Sequence, residues 1–187
     1  MPTNTEFPRA SYRSDPYRNF RFRVKWDGRY IAGVSKVSAL RRTTLVVPRS
    51  PSDAGVPPRR TPGQCAYAPI TLERGVTHDP AFEKWANQVR DYHRASLNAG
   101  QEEVGKRPGP PETFRKDIIL ELYNEAGQKV VSYNIYGCWP SEFVALDELD
   151  ANGTGIAIQT LTLEIDGWER DTVVAEPAEP DFSLRPR

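Results

Sequence analysis

The residues best suited to chemistry in this chain are two histidines and two cysteines. His78 and His93 belong to no HExxH or comparable pattern with metal-ligand spacing. Asp79 follows His78 and could polarise its imidazole for chemistry. We favour the simpler interpretation, in which His78 is a polar residue just before the N-cap of a helix. Cys65 and Cys138 have no paired spacing and no obvious base beside them. The sequence therefore predicts no catalytic residue, no metal ion and no cofactor, and hence no enzyme.

A group of acids lies between residues 140 and 155. A carboxylate pair and a calcium loop are the chemical alternatives to a solvated loop, but the twelve-residue calcium spacing with its terminal Glu is missing. We interpret the stretch as a solvated, irregular loop. Its acids are Glu142, Asp147, Glu148 and Asp150.

Arginines are concentrated between residues 41 and 63, where the only acid is Asp53. They are Arg41, Arg42, Arg49, Arg59 and Arg60. Because no aromatic side chains interleave with them to stack on bases, specific nucleic-acid binding is disfavoured. Two uses remain open: pairing with an acidic surface of a neighbouring subunit, and lining a channel through which cargo slides.

The composition of the whole chain points the same way. The formal net charge is zero and the pI is near 6.8, so the chain lacks the global field of a nucleic-acid or membrane-surface binder. Its N-terminus is polar and no apolar run approaches membrane-spanning length. We expect synthesis in the cytoplasm, no membrane anchor, and release by lysis or as part of a particle.

The first elements predicted along the chain form a β-hairpin. Phe22, Val24 and Trp26 alternate with basic residues, which predicts a half-buried strand over residues 19–26. Asp27-Gly28 is typical of a type I′ turn, and residues 30–38 are predicted to return as a second strand with a bulge at Gly33.

The arginine-rich segment 41–63 is predicted to be an exposed, proline-rich loop, because its prolines exclude a central strand. A short strand follows over residues 66–74. Asp79 is a predicted N-cap and Pro80 the first helical residue. Phe82, Trp85 and Val89 then start an apolar stripe typical of a helix that packs on a sheet, ending near residue 98.

The second half of the chain reads as mostly strand. Residues 98–113 form a predicted Gly/Pro loop, 117–123 and 130–139 a second hairpin, and 155–168 a last strand that is apolar on both faces. Such a strand is central in a sheet or covered by a neighbouring subunit. We predict one domain over residues 15–172, a flexible extension at 1–14 and a disordered proline-rich tail at 173–187. The expected core anchors are Phe22, Trp26, Phe82, Trp85 and Trp139.

Several stretches together resemble the inner tube proteins of contractile phage tails and extracellular contractile injection systems. They cover about two-thirds of the chain. They are DPYRNFRFRVKWDGRYIAGVSKVSAL (15–40), YAPITLERGVTHDPAFEKWANQV (67–89), FRKDIILELYNEAG (114–127), and the run 138–170 with CWPSEF and LDELDAN. The most specific part is ITLERGVT followed by the capped helix.

The resemblance implies a mainly β (α+β) fold: two packed antiparallel sheets, as a sandwich or half-open barrel, with one flanking helix. It implies six-membered rings that stack into a tube, which a sheath drives through a target envelope. The expected partners are further copies of the chain, sheath and baseplate proteins, and possible cargo in the lumen. The predicted subunit contacts are Arg41, Arg42, Leu45, Val47, Arg49, Arg59, Arg60, Asp147 and Asp150.

The chain departs from the family pattern after Thr44, where it reads LVVPRSPSDAGVPPRR instead of a charged, glycine-bearing loop. In the family this loop helps to contact neighbouring subunits. The alternatives therefore stay open: a bulk tube subunit, or a specialised paralogue such as an initiator, a cap, a cargo-loading ring or an adaptor.

Overall fold

The computed structural model describes residues 17–49, 59–98, 114–175 and 177. The predicted extension 1–14, nearly all of the loop 98–113 and most of the tail 173–187 lie outside these residues. The strands are β1 (Phe22–Trp26), β2 (Arg29–Tyr30), β3 (Val34–Val37), β4 (Arg42–Arg49), β5 (Arg59–Tyr67), β6 (Ile70–Gly75), β7 (Lys116–Tyr123), β8 (Lys129–Val144), β9 (Ile158–Glu164) and β10 (Gly167–Arg170), and the helix is α1 (Ala81–Asn98).

Two antiparallel sheets share the long strand β8. Its first half pairs with β7 and β10, giving a first sheet in the order β2-β1-β7-β8-β10. Its second half pairs with β9, giving a second sheet in the order β8-β9-β6-β3. Gly137, at φ 62°, lies where β8 passes from one sheet to the other. Two antiparallel sheets with one flanking helix confirm the predicted fold class.

The first hairpin is confirmed in part. Asp27 and Gly28 have φ values of 50° and 74°, as a type I′ turn requires. The predicted single strand over 30–38 is wrong, because the chain leaves the first sheet after Tyr30 and β3 pairs with β6 in the second. Gly33, at φ 77°, supplies the left-handed backbone of this passage.

Helix α1 begins as predicted. An Asp79 carboxylate oxygen accepts a hydrogen bond from the Ala81 N–H at 3.0 Å, and the Pro80 carbonyl accepts one from the Lys84 N–H at 2.8 Å. The other Asp79 oxygen lies 3.2 Å from Nη1 of Arg74 on β6. The Arg74 guanidinium is buried, 4.1 Å from the Phe82 ring centroid, so it fastens the helix start to the second sheet.

The core lies between the two sheets and the helix. It comprises Val24, Trp26, Ile70, Leu72, Phe82, Trp85, Ile118, Leu120, Ile135, Cys138, Leu161, Leu163 and Ile165. Three of the five expected anchors, Trp26, Phe82 and Trp85, are buried within it. Phe22 is half-buried against it. Trp139 is half-buried outside this cluster, edge-on to Phe114 with ring centroids 6.5 Å apart.

Two predicted strands are wrong because the chain changes sheets within them, and one predicted irregular region begins too early. The predicted strand 66–74 divides at Ala68-Pro69 into the end of β5 and β6. The predicted strand 155–168 divides at residues 165–166 into β9 in the second sheet and β10 in the first. The region 140–155, predicted irregular, begins with strand up to Val144, because β8 continues to pair with β9.

The prediction that residues 41–63 form an irregular loop is also wrong for the described residues. Its two ends form strands β4 and β5, which pair antiparallel from Arg42–Tyr67 to Arg49–Arg59. Pro48 and Pro62 are compatible with this arrangement because both strands of a two-stranded ribbon are edge strands. The β-branched residues Thr43, Thr44, Val46 and Val47 favour strand there.

Candidate assembly surface

Strands β4 and β5 form a two-stranded arm whose described residues pair with no other strand. On β4 the side chains of Leu45, Val46 and Val47 are 61%, 57% and 41% exposed. Because successive residues point to opposite faces of a strand, both faces of the arm present apolar groups. Exposed apolar side chains on an edge strand are typical of a surface that another polypeptide covers.

The base of the arm is fixed to the body. The Ala68 N–H donates to the Arg41 carbonyl at 3.0 Å, which closes the ribbon where it meets the body. The Arg42 guanidinium lies 5.8 Å from the Trp168 ring centroid, and Tyr67 packs against the core. A bulge lies opposite Leu45, where a Cβ on Gly63 would come within 3.1 Å of the Leu45 carbonyl oxygen.

The structure brings the predicted arginines together on the arm. Arg41, Arg42 and Arg60 are exposed. Arg49 and Arg59 are register partners at the outer end of the ribbon. The exposed Arg41, Arg42 and Arg60 give the arm a basic surface, which suits an anionic partner.

The predicted acidic contacts lie in the segment 145–157 between β8 and β9, which we call the acidic loop. Asp147 and Asp150 are exposed, and each carboxylate accepts a backbone N–H of its own loop, from Glu148 at 2.8 Å and from Asn152 at 2.9 Å. Sequence reasoning missed the apolar groups among these acids. Leu149, between Glu148 and Asp150, is 69% exposed, and its position within an acidic run was the available indication. Ile156 is 82% exposed and lies in this loop rather than in the predicted last strand.

The arm and the acidic loop are therefore complementary: both expose apolar side chains, but the arm is basic and the loop is acidic. Each combines exposed apolar side chains with charges of one sign. Within the described residues no salt bridge joins them in one chain. Such surfaces suit contact between copies.

The titratable groups inside the fold serve packing. Burial, and then the charge of Asp117, raise the pKa of the Cys138 thiol to about 12. Burial alone would raise the pKa of Glu121, but hydrogen bonds from Tyr123 and Tyr30 and the charge of Lys129 outweigh it, so the pKa lies below its ordinary value. Among residues 17–49, 59–98 and 114–175, no group of His, Cys, Asp and Glu is arranged to hold a metal ion.

The part of the chain that the structure describes has no helix with the length and apolar character needed to span a membrane.

Similar folds are found in chains of solved sheath-tube, cap and terminator structures. A chain of the PVC sheath-tube complex in its extended state is 22% identical, with a TM-score of 0.64 over 84% of this chain and 93% of that one. A chain of the anti-feeding prophage cap is 24% identical, with a TM-score of 0.63 over 91% and 99%. A chain of the PVC sheath/tube terminator is 22% identical, with a TM-score of 0.65 over 86% and 99%. At these identities the likeness establishes the fold.

No curated protein sequence matches the chain significantly. The family model described as T4-like virus tail tube protein gp19 matches residues 18–169. The match spans both sheets, the helix, the arm and the acidic loop. The chain therefore belongs to the T4-like virus tail tube protein gp19 family.

Proposed function

We propose that this chain is a non-enzymatic structural subunit that forms hexameric rings, and that the rings stack into the inner tube of a contractile, phage-tail-like injection machine. Contraction of an outer sheath drives this tube through a target envelope. The partners are further copies of the chain and the sheath and baseplate proteins of the particle. The observation that carries the proposal is an arm with exposed apolar side chains, which in the described residues pairs with no strand of the body, on a chain of the tail tube family.

Ring closure is supported by the open edges of the second sheet. In the described residues β3 pairs only with β6, and the second half of β8 pairs only with β9. Unpaired strand edges are a liability that closure into a ring removes. Joining β3 of one copy to the end of β8 in the next makes the second sheets continuous around a channel.

Stacking is supported by the arm and the acidic loop. Leu45 and Val47 of one copy would cover Leu149 and Ile156 of a copy in the next ring. Arg41, Arg42, Arg49, Arg59 and Arg60 would lie near Asp147 and Asp150. The buried apolar contact supplies affinity, while the charges select partner and register.

A second candidate is a specialised ring, such as a terminating cap, an initiator or an adaptor that forms no long tubes. It is favoured by the similarity to chains of a tube-terminating cap and of a sheath/tube terminator, at TM-scores of 0.63 and 0.65. The two candidates share the ring and differ in whether both faces of the ring accept another ring.

Negative-stain electron microscopy of the purified protein tests the proposal. We expect rings and tubes for the bulk subunit, and single rings for the specialised one. Changing Leu45 to Asp places a charge in the arm contact, so it should abolish stacking and leave folded rings. Lys84→Asp, on an exposed position of the helix, is the matched control and should stack like the original protein.

A protein that stays monomeric at high concentration would overturn the proposal. Unchanged tubes from the Leu45→Asp variant would leave the ring in place and remove the role given to the arm.

A further inference from the structure

We propose that charged side chains on the outer face of the first sheet, basic at one side and acidic at the other, form a contact that joins neighbouring copies within the ring. Arg23 and Lys25 of one copy would lie against Glu169 and Asp171 of the next. This inference rests on the proposed function and deepens it, because it names a side-to-side contact that neither the arm nor the acidic loop supplies.

The charges of the chain are separated along the sequence. From Tyr17 to Arg49 the single acid is Asp27, whereas Lys and Arg recur throughout. From Val130 to Glu169 there is no Lys or Arg, whereas Asp and Glu recur. The zero net charge thus conceals a basic segment that forms β1 to β4 and an acidic one that forms most of β8 to β10.

Strand pairing turns this separation into a spatial one. In the first sheet Lys25 pairs with Ile119, Ile119 with Asn134, and Asn134 with Glu169. These residues form one row across the sheet on the face away from the core, since Trp26 and Ile118 beside them are buried. The row begins with Tyr30 on the short edge strand β2, continues with the cation of Lys25 on β1, and ends with the anion of Glu169 on β10.

The adjacent row on the same face repeats the pattern. Arg23 pairs with Glu121, and Glu121 with Ser132. The Asp171 N–H donates to the Ser132 carbonyl at 2.8 Å, which places Asp171 at the far end of this row. Both rows therefore carry a cation on β1 at one side of the sheet and an anion at or just after β10 at the other side.

Arg23 is held in place by its neighbours. Its guanidinium lies 5.5 Å from the Tyr30 ring centroid and 5.2 Å from that of Tyr123. Both tyrosine hydroxyls donate to the same oxygen of the buried Glu121, at 3.0 Å and 2.7 Å, which fixes the two rings. The arginine is thereby preorganised without using its own N–H donors.

The opposed charges are available for a partner. Within the described ranges the side chains of Arg23, Lys25 and Glu169 make no hydrogen bond or ion pair. One carboxylate oxygen of the half-buried Asp171 accepts the Val173 N–H at 3.0 Å, which leaves its other oxygen for a partner. An open depression of about 320 Å³ lies beside Arg23 and Tyr30. A guanidinium with free donors beside a recess suits a carboxylate, which it binds bidentately.

The symmetry of a ring makes a second copy the partner of these charges. A head-to-tail contact brings one edge of a subunit against the opposite edge of the next. The two ends of each row carry opposite charges. If the strands run along the ring axis, the basic end of a row in one copy therefore faces the acidic end of the same row in the next copy. Inverting one subunit would misalign the rows, so the charges also select orientation.

Charge reversal tests the contact. Every copy carries both ends of each row, so Arg23→Glu and Asp171→Arg, which lie at the two ends of one row, should each impair ring formation, and the double variant should recover it. We expect each single reversal to raise the protein concentration for half-assembly by about tenfold, measured by sedimentation velocity. Wild-type assembly should weaken as salt rises. Lys84→Glu on the helix should assemble normally, and circular dichroism should show all variants folded.

The outcomes separate this inference from the proposed function. Normal rings from both single reversals, or a double variant no better than the singles, would overturn the contact and leave the ring subunit standing. Absence of rings from the wild-type protein would remove the ring itself, and the contact with it.

Discussion

Trp85 lies between α1 and the first sheet, with its ring centroid 5.0 Å from that of Trp26. Its indole N–H donates to the Phe114 carbonyl at 2.7 Å. One side chain thus joins the helix, β1 and the start of β7. Among the aromatic anchors expected from the sequence, it makes the most varied contacts.

Changing Trp85 to Ala should lower the free energy of unfolding by about 3 to 5 kcal/mol, because it opens a cavity and leaves a buried carbonyl without its donor. Urea denaturation followed by circular dichroism measures the change. Trp139→Ala, at a half-buried position, is the comparison and should cost less. Equal losses for the two variants would contradict the placement of Trp85.

The two cysteines should differ in reactivity. Cys65 is exposed on the arm, whereas Cys138 is fully buried and its pKa is raised to about 12. Because the thiolate is the reacting form, Cys138 should resist alkylation at pH 8 while the chain is folded. Mass spectrometry should find one label on the native protein and two after denaturation. Two rapid labels on the folded chain would contradict the buried position.

At the scale of elements, the bend in β8 decides whether the two sheets can share a strand. Gly137 has a left-handed φ of 62°, and a Cβ there would overlap the Asp166 carboxylate. That carboxylate also accepts a hydrogen bond from Arg115 at 2.7 Å. The bend therefore depends on a missing side chain at a single position.

Gly137→Ala should destabilise the fold by more than about 1 to 2 kcal/mol, since overlap adds to the usual cost of a left-handed residue. Gly127→Ala is a matched control, because Gly127 has a φ of 80° with open space around it. Thermal unfolding of both variants measures the difference. If the two substitutions cost the same, the overlap with Asp166 has no energetic consequence.

The first strand, the turn after it and the helix start were predictable because their causes are local. Alternation over Phe22–Trp26, the Asp27-Gly28 turn and the Asp79 cap all act within a few residues. The passages between sheets were not predictable, because they depend on which distant strand is the partner. The arm was missed since prolines exclude a central strand but not a two-stranded ribbon.

The candidate assembly surface was likewise predictable only in part. Arg42, Leu45 and Asp147 could be named from composition and resemblance, and they remain predicted contacts. Their division between a projecting arm and a separate loop required the structure. The rows that end in Glu169 and Asp171 depend on register across β1, β7, β8 and β10, which the sequence does not display.

At the scale of the whole molecule, the arm pairs with no strand of the two sheets in the described residues. Its strands pair only with each other, and Arg42 and Tyr67 at its base are register partners. Replacing residues 43–66 by Asn-Gly should therefore leave a tight hairpin.

We expect this shortened chain to keep a free energy of unfolding within about 1 kcal/mol of the full-length value, and to lose the ability to form tubes. Urea denaturation and electron microscopy report the two properties separately. A large loss of stability would mean that the arm belongs to the core, and tubes from the shortened chain would mean that stacking uses another surface.

Pro48 and Pro62 reduce the number of backbone N–H donors on the arm, which affects the protein before it assembles. A proline offers no amide hydrogen, so a foreign strand that approaches this ribbon meets an incomplete row of donors. We therefore expect unassembled subunits to be less prone to add strand to strand into fibres. The two prolines that made the segment look like a loop in the sequence should also protect the unassembled protein from aggregation through this ribbon.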